Sequence, residues 1–437
     1  MPEDGYTSAL ARETAPDALE RFLRYVRIDT QSDPASETYP STAKQLDLSR
    51  LLVEELRELG VEDAELSEHG YVLATLPATT ARPVPTVGLI AHVDTVPGVS
   101  GTGVKPQVVR YAGGDLALPG NPLQTLRPAD VPELENHVGH DLVTSDGTTL
   151  LGADDKGGVA EIMAAVAYLT RHPEIEHGRI RVAFTPDEEI GAGTRFFDLE
   201  AFGADVAYTL DGSTRGEIQN ETFSAIEATV AFRGYVVHPG SAKGILVNAI
   251  KLAAAFVDRL PKDALSPETT EEREGFVHPL RIEGGDEACA VTLILRDFDE
   301  RKLAGHERLV RELADEVAAR DPRATVTVTT RRQYRNMKEY LDRHPRALAA
   351  AEEAIRRAGI EPMNTLIRGG TDGARLSELG LPTPNLFTGG HEYHSQREWI
   401  CVQDMGAAVA TVVHLAQVWA QNGSEKSEGA PQAPALA

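Results

Sequence analysis

Five stretches of the chain set carboxylates and imidazoles at the ends of apolar runs: HVDTVP (92–97), LGADDKGG (151–158), TPDEEIGAGT (185–194), TLDGS around Asp211, and FTGGHEYHSQRE (387–398). In an extended strand His92 and Asp94 face the same side, because side chains alternate with period two. The imidazole could then bind a metal while the carboxylate orients it, an arrangement that metal sites need. A satisfied polar strand end is the plainer alternative. Asp154, Asp155 and Lys156, followed by two glycines, open a helix whose dipole favours a carboxylate there, although a simple cap has the same composition. Glu188 and Glu189 are adjacent, so in an extended segment their side chains tend to point apart. One could ligate a cation while its neighbour meets the reacting water; a solvated acidic turn is the competing reading. Asp211 follows an apolar strand in a DG turn, and His391, His394 and Glu398 share a glycine-rich loop.

Taken together the clusters say more than any one of them. Ligands of open α/β sheets gather beyond the carboxyl ends of the strands, where these motifs fall. Histidines and carboxylates without cysteine suit zinc, cobalt or manganese, and the surplus of carboxylates suits two cations sharing one oxygen ligand. There is no HExxH, GxSxG or Walker loop, and no GxGxxG opening a helix. Neither Cys289 nor Cys401 sits in a nucleophile-like setting.

The elements that must position these residues follow from periodicity. Leu19, Phe22, Leu23 and Val26 recur at helical spacing, and STAKQLDLSRLLVEELRELG has Ser or Thr to cap its start and Gly60 to end it. TVGLIAHVD (86–94) is a buried strand, then come the helix GGVAEIMAAVAYLT and the strands RIRVAFTPDEE and VAYTLDG, an alternation that predicts an α/β sheet. From about residue 223 the pattern changes: Ile226, Ala228, Val230 and Phe232 alternate with other residues as in a strand covered on one face. Helices near 245–259 and 301–320 and strands near 278–283, ACAVTLILRD and ATVTVTT complete the order βαββαβ, an α+β ferredoxin-like unit. Helix and strand alternation then resumes, so this module reads as an insertion. The expected domains are 1–221 and 336–420 for the first module, 222–335 for the insertion, and a disordered tail over 421–437.

At 437 residues the chain is long enough for two cores. Its 43 basic and 67 acidic residues give a net charge of −24, the wrong sign for nucleic acid or an anionic membrane. Two cysteines suggest a reducing compartment, and the N-terminus lacks the basic head and apolar run of a signal peptide, so a cytoplasmic location is expected. The uncharged run 406–423 contains His414, Gln417 and Gln421 and reads as an amphipathic helix rather than a membrane span.

The motifs HVDTVP, TTLLGADDKGG, TPDEEIGAGT, LDGS, GYVVHPGSAKG, IRGGTDG and NLFTGGHEYHSQRE resemble, in order and from about residue 15 to about 420, the M20 metallopeptidase family, and within it the tripeptide aminopeptidases. The resemblance implies a zinc-exopeptidase-like catalytic domain, a central mixed sheet flanked by helices, with the inserted module as a lid. It implies two zinc ions per chain, with cobalt or manganese as substitutes. His92 and Asp211 would hold one and Glu189 and His394 the other, with Asp154 bridging. Asp94 would support His92, and Glu188 would be the general base for a water activated between the ions. His394 rather than His391 matches the family's YHxxxE position. His238, Asn248, Arg296 and Arg368 would contact the substrate, a short peptide with a free N-terminus. The resemblance also implies pairing as a homodimer. Its nearest rivals use the same cations on another amide: a dipeptidase, a carboxypeptidase or an N-acyl amino acid deacylase. A rival of another class, a non-catalytic protein that only holds peptide or metal, would be marked by loss of the base or a ligand, and each expected position is filled.

Overall fold

A computed structural model describes residues 4–421. Most of the expected tail, residues 422–437, lies outside them. The chain divides into two units, Met1–Asn220 with Glu339–Thr365 and Thr371–Ala437, and Glu221–Lys338 with Leu366–Gly370.

The first unit is built on a mixed sheet. Its eight strands lie in the order Glu65–Leu66, Val72–Leu76, Ile180–Thr185, Val87–His92, Val206–Gly212, Asn385–Phe387, Glu217–Thr222 and Met363–Ile367. The strand Val87–His92 runs parallel to both neighbours and is buried at every position, which explains its unbroken apolar sequence. Because Ile180–Thr185 and Val206–Gly212 run parallel to it, His92, the turn after Thr185 and Asp211 emerge at the same edge. Asp211 lies within its strand rather than just beyond it. Helix Ala153–Arg171 packs on these strands, and helices Ala9–Tyr25 and Val402–Gln421 pack beside it around one large apolar core.

Three features depart from the periodicity. The helix Val402–Gln421 is buried on nearly all faces, with only His414, Gln417 and Gln421 reaching solvent, so its uncharged run serves the core rather than one apolar stripe. Among the described residues no helix is long and apolar enough to cross a membrane. The helix Gln45–Glu58 begins without a side-chain cap; Ser41, the expected cap, instead donates through its backbone N–H to Asp187 Oδ2 at 2.6 Å. A second, four-stranded sheet is formed by Gly390–His391, Trp399–Cys401, Asp141–Thr144 and Gln107–Arg110. Strands of two to four residues are too short for a periodic signal, and this sheet was not legible in the sequence.

The second unit has an antiparallel sheet in the order Phe276–Gly284, Ala288–Asp297, Ser224–Arg233 and Thr325–Tyr334. Helices Ala249–Arg259 and Glu300–Ala318 pack on it, and the chain order is βαββαβ. Ile226, Ala228, Val230 and Phe232 are all buried in this core.

One glycine shows how closely the first unit is packed. A Cβ on Gly158 would lie 1.9 Å from the carbonyl oxygen of Leu210, so the helix can rest on the strand that carries Asp211 only without a side chain there. In Gly158→Ala the gain in helix propensity, about 1 kcal/mol, is expected to be outweighed by overpacking against a backbone that cannot yield, at about 1–3 kcal/mol or more. Thermal unfolding should show a lowered Tm, whereas Gly285→Ala, with nothing within 4 Å of the new Cβ, should leave it nearly unchanged.

Candidate metal centre

His92 ends its strand with the ring buried. Its Nε2 lies 2.8 Å from Asp154 Oδ1, 3.7 Å from Asp211 Oδ1 and 4.0 Å from Glu188 Oε2. Its Nδ1 is 3.1 Å from the backbone oxygen of Asp94 and 3.4 Å from that residue's carboxylate. The Asp94 carboxylate, fully buried, also accepts from the backbone N–H groups of Glu188 (2.9 Å) and Glu189 (3.2 Å). One side chain thus aligns the imidazole and fixes the turn that presents both glutamates.

That turn has a second anchor. Asp187 adopts φ 60°, a left-handed conformation costly for a residue with a Cβ. Its buried carboxylate accepts from Ser41 and from Gln45 Nε2 (2.6 Å), which holds it there. His394 also has φ 60°; its Nε2 lies 3.0 Å from Glu189 Oε2 and 3.1 Å from Asp154 Oδ2. The two oxygens of Asp154 therefore face different histidines.

Asp154 precedes the regular part of its helix, and its φ/ψ of −87°/105° is not helical. Glu398 holds this segment: it accepts from the backbone N–H groups of Leu151 (3.0 Å), Gly152 (2.7 Å) and Asp154 (2.9 Å). Asp155 is occupied differently, accepting from the N–H groups of His92 (3.1 Å) and Gly158 (3.2 Å), which makes it a brace between strand and helix.

The seven residues His92, Asp94, Asp154, Glu188, Glu189, Asp211 and His394 thus come together from segments up to about three hundred residues apart. His391 does not join them. It stacks on Trp399 at 4.3 Å between ring centroids. Asp372 was missed, although it stands in the quoted motif IRGGTDG. It is buried, accepts from Thr185 Oγ1 at 2.9 Å, and lines a small cavity with His92, Asp155, Glu188 and Asp211. Asn385, also missed, accepts from the N–H of Asp211 at 2.9 Å.

The electrostatics are those of a site short of positive charge. Burial pushes Glu188 well up, Glu189 up to about 7 with help from the charge of Asp154, Asp211 up to about 6, and Asp372 up to about 7. Asp154 goes the other way: burial opposes its ionisation, but His394 and His92 hold it well below the usual carboxylate range. Hydrogen bonding to Asp154 and Glu189 raises His394 to about 11. Glu189 Oε1 is buried without a hydrogen-bond partner. Donor atoms of His92, Asp154 and Glu189 lie within 4.8 Å of one another, as do those of His92, Asp155 and Asp211. An unpaired buried carboxylate oxygen among nitrogen and oxygen donors fits divalent cations.

The other expected contacts lie in the second unit. His238 is exposed and its Nδ1 accepts from the N–H of Gly240 at 3.1 Å. Asn248 caps the helix Ala249–Arg259 through its side-chain oxygen. Arg296 lies over the Tyr334 ring with a buried, unpartnered Nε. Arg368 donates to the carbonyl oxygens of Glu272 and Glu274, each at 2.8 Å, and to Thr270.

A mixed α/β sheet with imidazoles and carboxylates gathered at one edge is an architecture that could hold metal ions for hydrolysis. The sequence model of peptidase family M20/M25/M40 matches residues 131–418. The chain is 47% identical to Peptidase T of Geobacillus thermodenitrificans, over 93% of this chain and 99% of that one. Its fold is similar to that of the aminopeptidase PepT of Bacillus cereus, with a TM-score of 0.71 and 24% identity over 93% of this chain and 99% of that one. It is also similar to that of the YXEP protein of Bacillus subtilis, a dinuclear metal binding peptidase from the M20 family, with a TM-score of 0.62 and 15% identity over 93% and 98%. The chain belongs to peptidase family M20/M25/M40 and is a metallo-aminopeptidase.

Replacing Glu398 with Ala would leave three backbone N–H groups without their acceptor. Each such loss costs about 1–3 kcal/mol when the group stays buried, and Asp154 would lose its alignment. Expected outcomes are a lower Tm in thermal unfolding and metal affinity weakened by about 10–100-fold in calorimetric titration.

Proposed function

We propose that the chain removes the N-terminal residue from tripeptides, using two divalent cations, zinc in the first instance, at the centre around Asp154. The observation that carries this reading is the Asp154 carboxylate, whose oxygens face His92 at 2.8 Å and His394 at 3.1 Å, the disposition a carboxylate shared by two cations requires. His92 and Asp211 would hold one ion and Glu189 and His394 the other. Bound there, the ions supply Lewis acidity, which lowers the pKa of water and polarises a carbonyl.

The chain's own residues do the rest. Glu188, whose N–H is held by Asp94, would take the proton of the attacking water and return it to the departing amine. Asp94 keeps His92 and both glutamates in register. His238 would donate to the developing oxyanion, and Asn248 and an arginine would receive the peptide. Of the two arginines, Arg296 has a nitrogen still to be satisfied, while Arg368 is engaged with backbone oxygens, so Arg296 is the better anchor for the peptide carboxylate.

The discriminating assay compares Ala-Ala-Ala, Ala-Ala and an N-acetylated tripeptide, with products identified after chelation and metal readdition. Release of N-terminal alanine from the free tripeptide is expected; cleavage of the blocked peptide would favour a deacylase or carboxypeptidase instead. In Glu188→Ala, kcat should fall by about 10²–10⁴-fold with metal content unchanged. Near-normal turnover would remove Glu188 as the base.

A further inference from the structure

Away from the centre around Asp154, the first unit buries a second group of ligand-type side chains: His137, His140, Cys401 and Asp404. One donor atom from each lies within 4.8 Å of the others. We propose that these four residues form a closed structural site for a transition metal, zinc by preference, which pins the base of the loop carrying His394. Two nitrogens, one sulfur and one oxygen are each ligand types that four-coordinate zinc accepts, and a site whose four positions are all filled by protein is structural rather than catalytic.

The ring orientations agree with ligation. His137 Nδ1 lies 2.9 Å from the carbonyl oxygen of Glu133, so this nitrogen carries the hydrogen and Nε2 is left to the cluster. Metal-binding histidines characteristically donate their second nitrogen to a carbonyl in this way. His137 Nε2 then faces Asp404 Oδ2 at 2.9 Å, where a lone pair meets a carboxylate unless a proton or a cation stands between them. Asp404 Oδ1 is already taken by Arg215 at 2.8 Å, which leaves Oδ2 to the site. His140 has backbone over its other edge: a Cβ on Gly5 would lie 2.3 Å from Nε2. Its Nδ1 is the nitrogen near Cys401 Sγ, at 3.6 Å.

A further observation marks the place. His391, only 8% exposed, has its ring 5.7 Å from that of His137, and its Nε2 is buried with no hydrogen-bond partner. A buried imidazole nitrogen without a partner, next to the ring of His137, calls for an explanation that hydrogen bonds do not supply. The competing reading is a buried imidazolium–carboxylate–guanidinium network. It accounts for His137, Asp404 and Arg215, but leaves Cys401 Sγ with two long contacts, to His140 Nδ1 and to Gln403 Oε1, each at 3.6 Å.

The location gives such a metal a purpose. Gly390–His391 pairs with Trp399–Cys401 in the register Gly390↔Ile400 and His391↔Trp399, closing off the loop that holds His394 and Glu398. His137 ends the short helical turn Pro132–His137, and Asp404 lies in the first turn of Val402–Gln421. One ion would join segments more than two hundred residues apart at the foot of that loop.

The test is cobalt substitution of the full chain, read by spectroscopy and metal analysis. A thiolate bound to Co²⁺ gives a near-ultraviolet charge-transfer band, and the centre around Asp154 contains no cysteine. The wild type should show that band and hold about three ions per chain, whereas a dinuclear centre alone would account for about two. Cys401→Ser should lose the band and one ion. Cys289→Ser, altering the only other cysteine, should keep both. If Cys401→Ser does not fold, the band in the wild type and in Cys289→Ser still assigns the thiolate to Cys401. A wild type without the band, or a band lost with Cys289 or surviving without Cys401, would overturn the site in favour of the ion-pair network.

Discussion

The two carboxylate oxygens of Asp154 face imidazoles that come from opposite ends of the chain, and the surrounding architecture follows from keeping that juxtaposition. Carboxylates packed in low dielectric repel one another and resist ionisation unless positive charge joins them. Glu188, Glu189, Asp211 and Asp372 are all pushed upward for this reason. Such crowding is costly, and a fold keeps it only where its other contacts leave the residues nowhere else to go.

Those contacts are hydrogen bonds one step removed from the centre. Asp94 braces the glutamate turn, Asp187 ties the same turn to Ser41 and Gln45, and Glu398 gathers the backbone N–H groups of Leu151, Gly152 and Asp154. Each is a buried acid whose oxygens accept from backbone groups, so each stabilises position rather than charge transfer. The left-handed backbone at Asp187 and His394 belongs to the same pattern: local strain persists where several contacts over-determine the geometry.

The parallel strands, the long buried helices and the alternating strand Ser224–Arg233 were legible because each has enough residues for a period to show. The motifs also marked the centre, since acids and histidines at strand ends are conspicuous against apolar runs. What escaped was carried by short or ordinary-looking pieces. Asp372 looks like the start of a helix, Ser41 like the cap of the helix Gln45–Glu58, and His137, His140 and Cys401 like loop residues with no common spacing. The helix expected within 406–423 is present over the described residues, but without its single apolar stripe, because periodicity cannot tell such a stripe from a helix enclosed by neighbours when nearly every residue is small or apolar.

By itself the sequence determined the α/β alternation, the change of pattern near residue 223, the strongly acidic charge balance, and the kinds of side chain available for chemistry. These are local properties, set by neighbours along the chain and by composition. Tertiary structure alone decided which acid is shared between imidazoles and which is a brace. Asp154 and Asp155 are adjacent and chemically identical, yet one faces His92 and His394 while the other is taken up by the N–H groups of His92 and Gly158. That difference depends on where a distant strand and loop arrive in space, and no spacing within LGADDKGG encodes it.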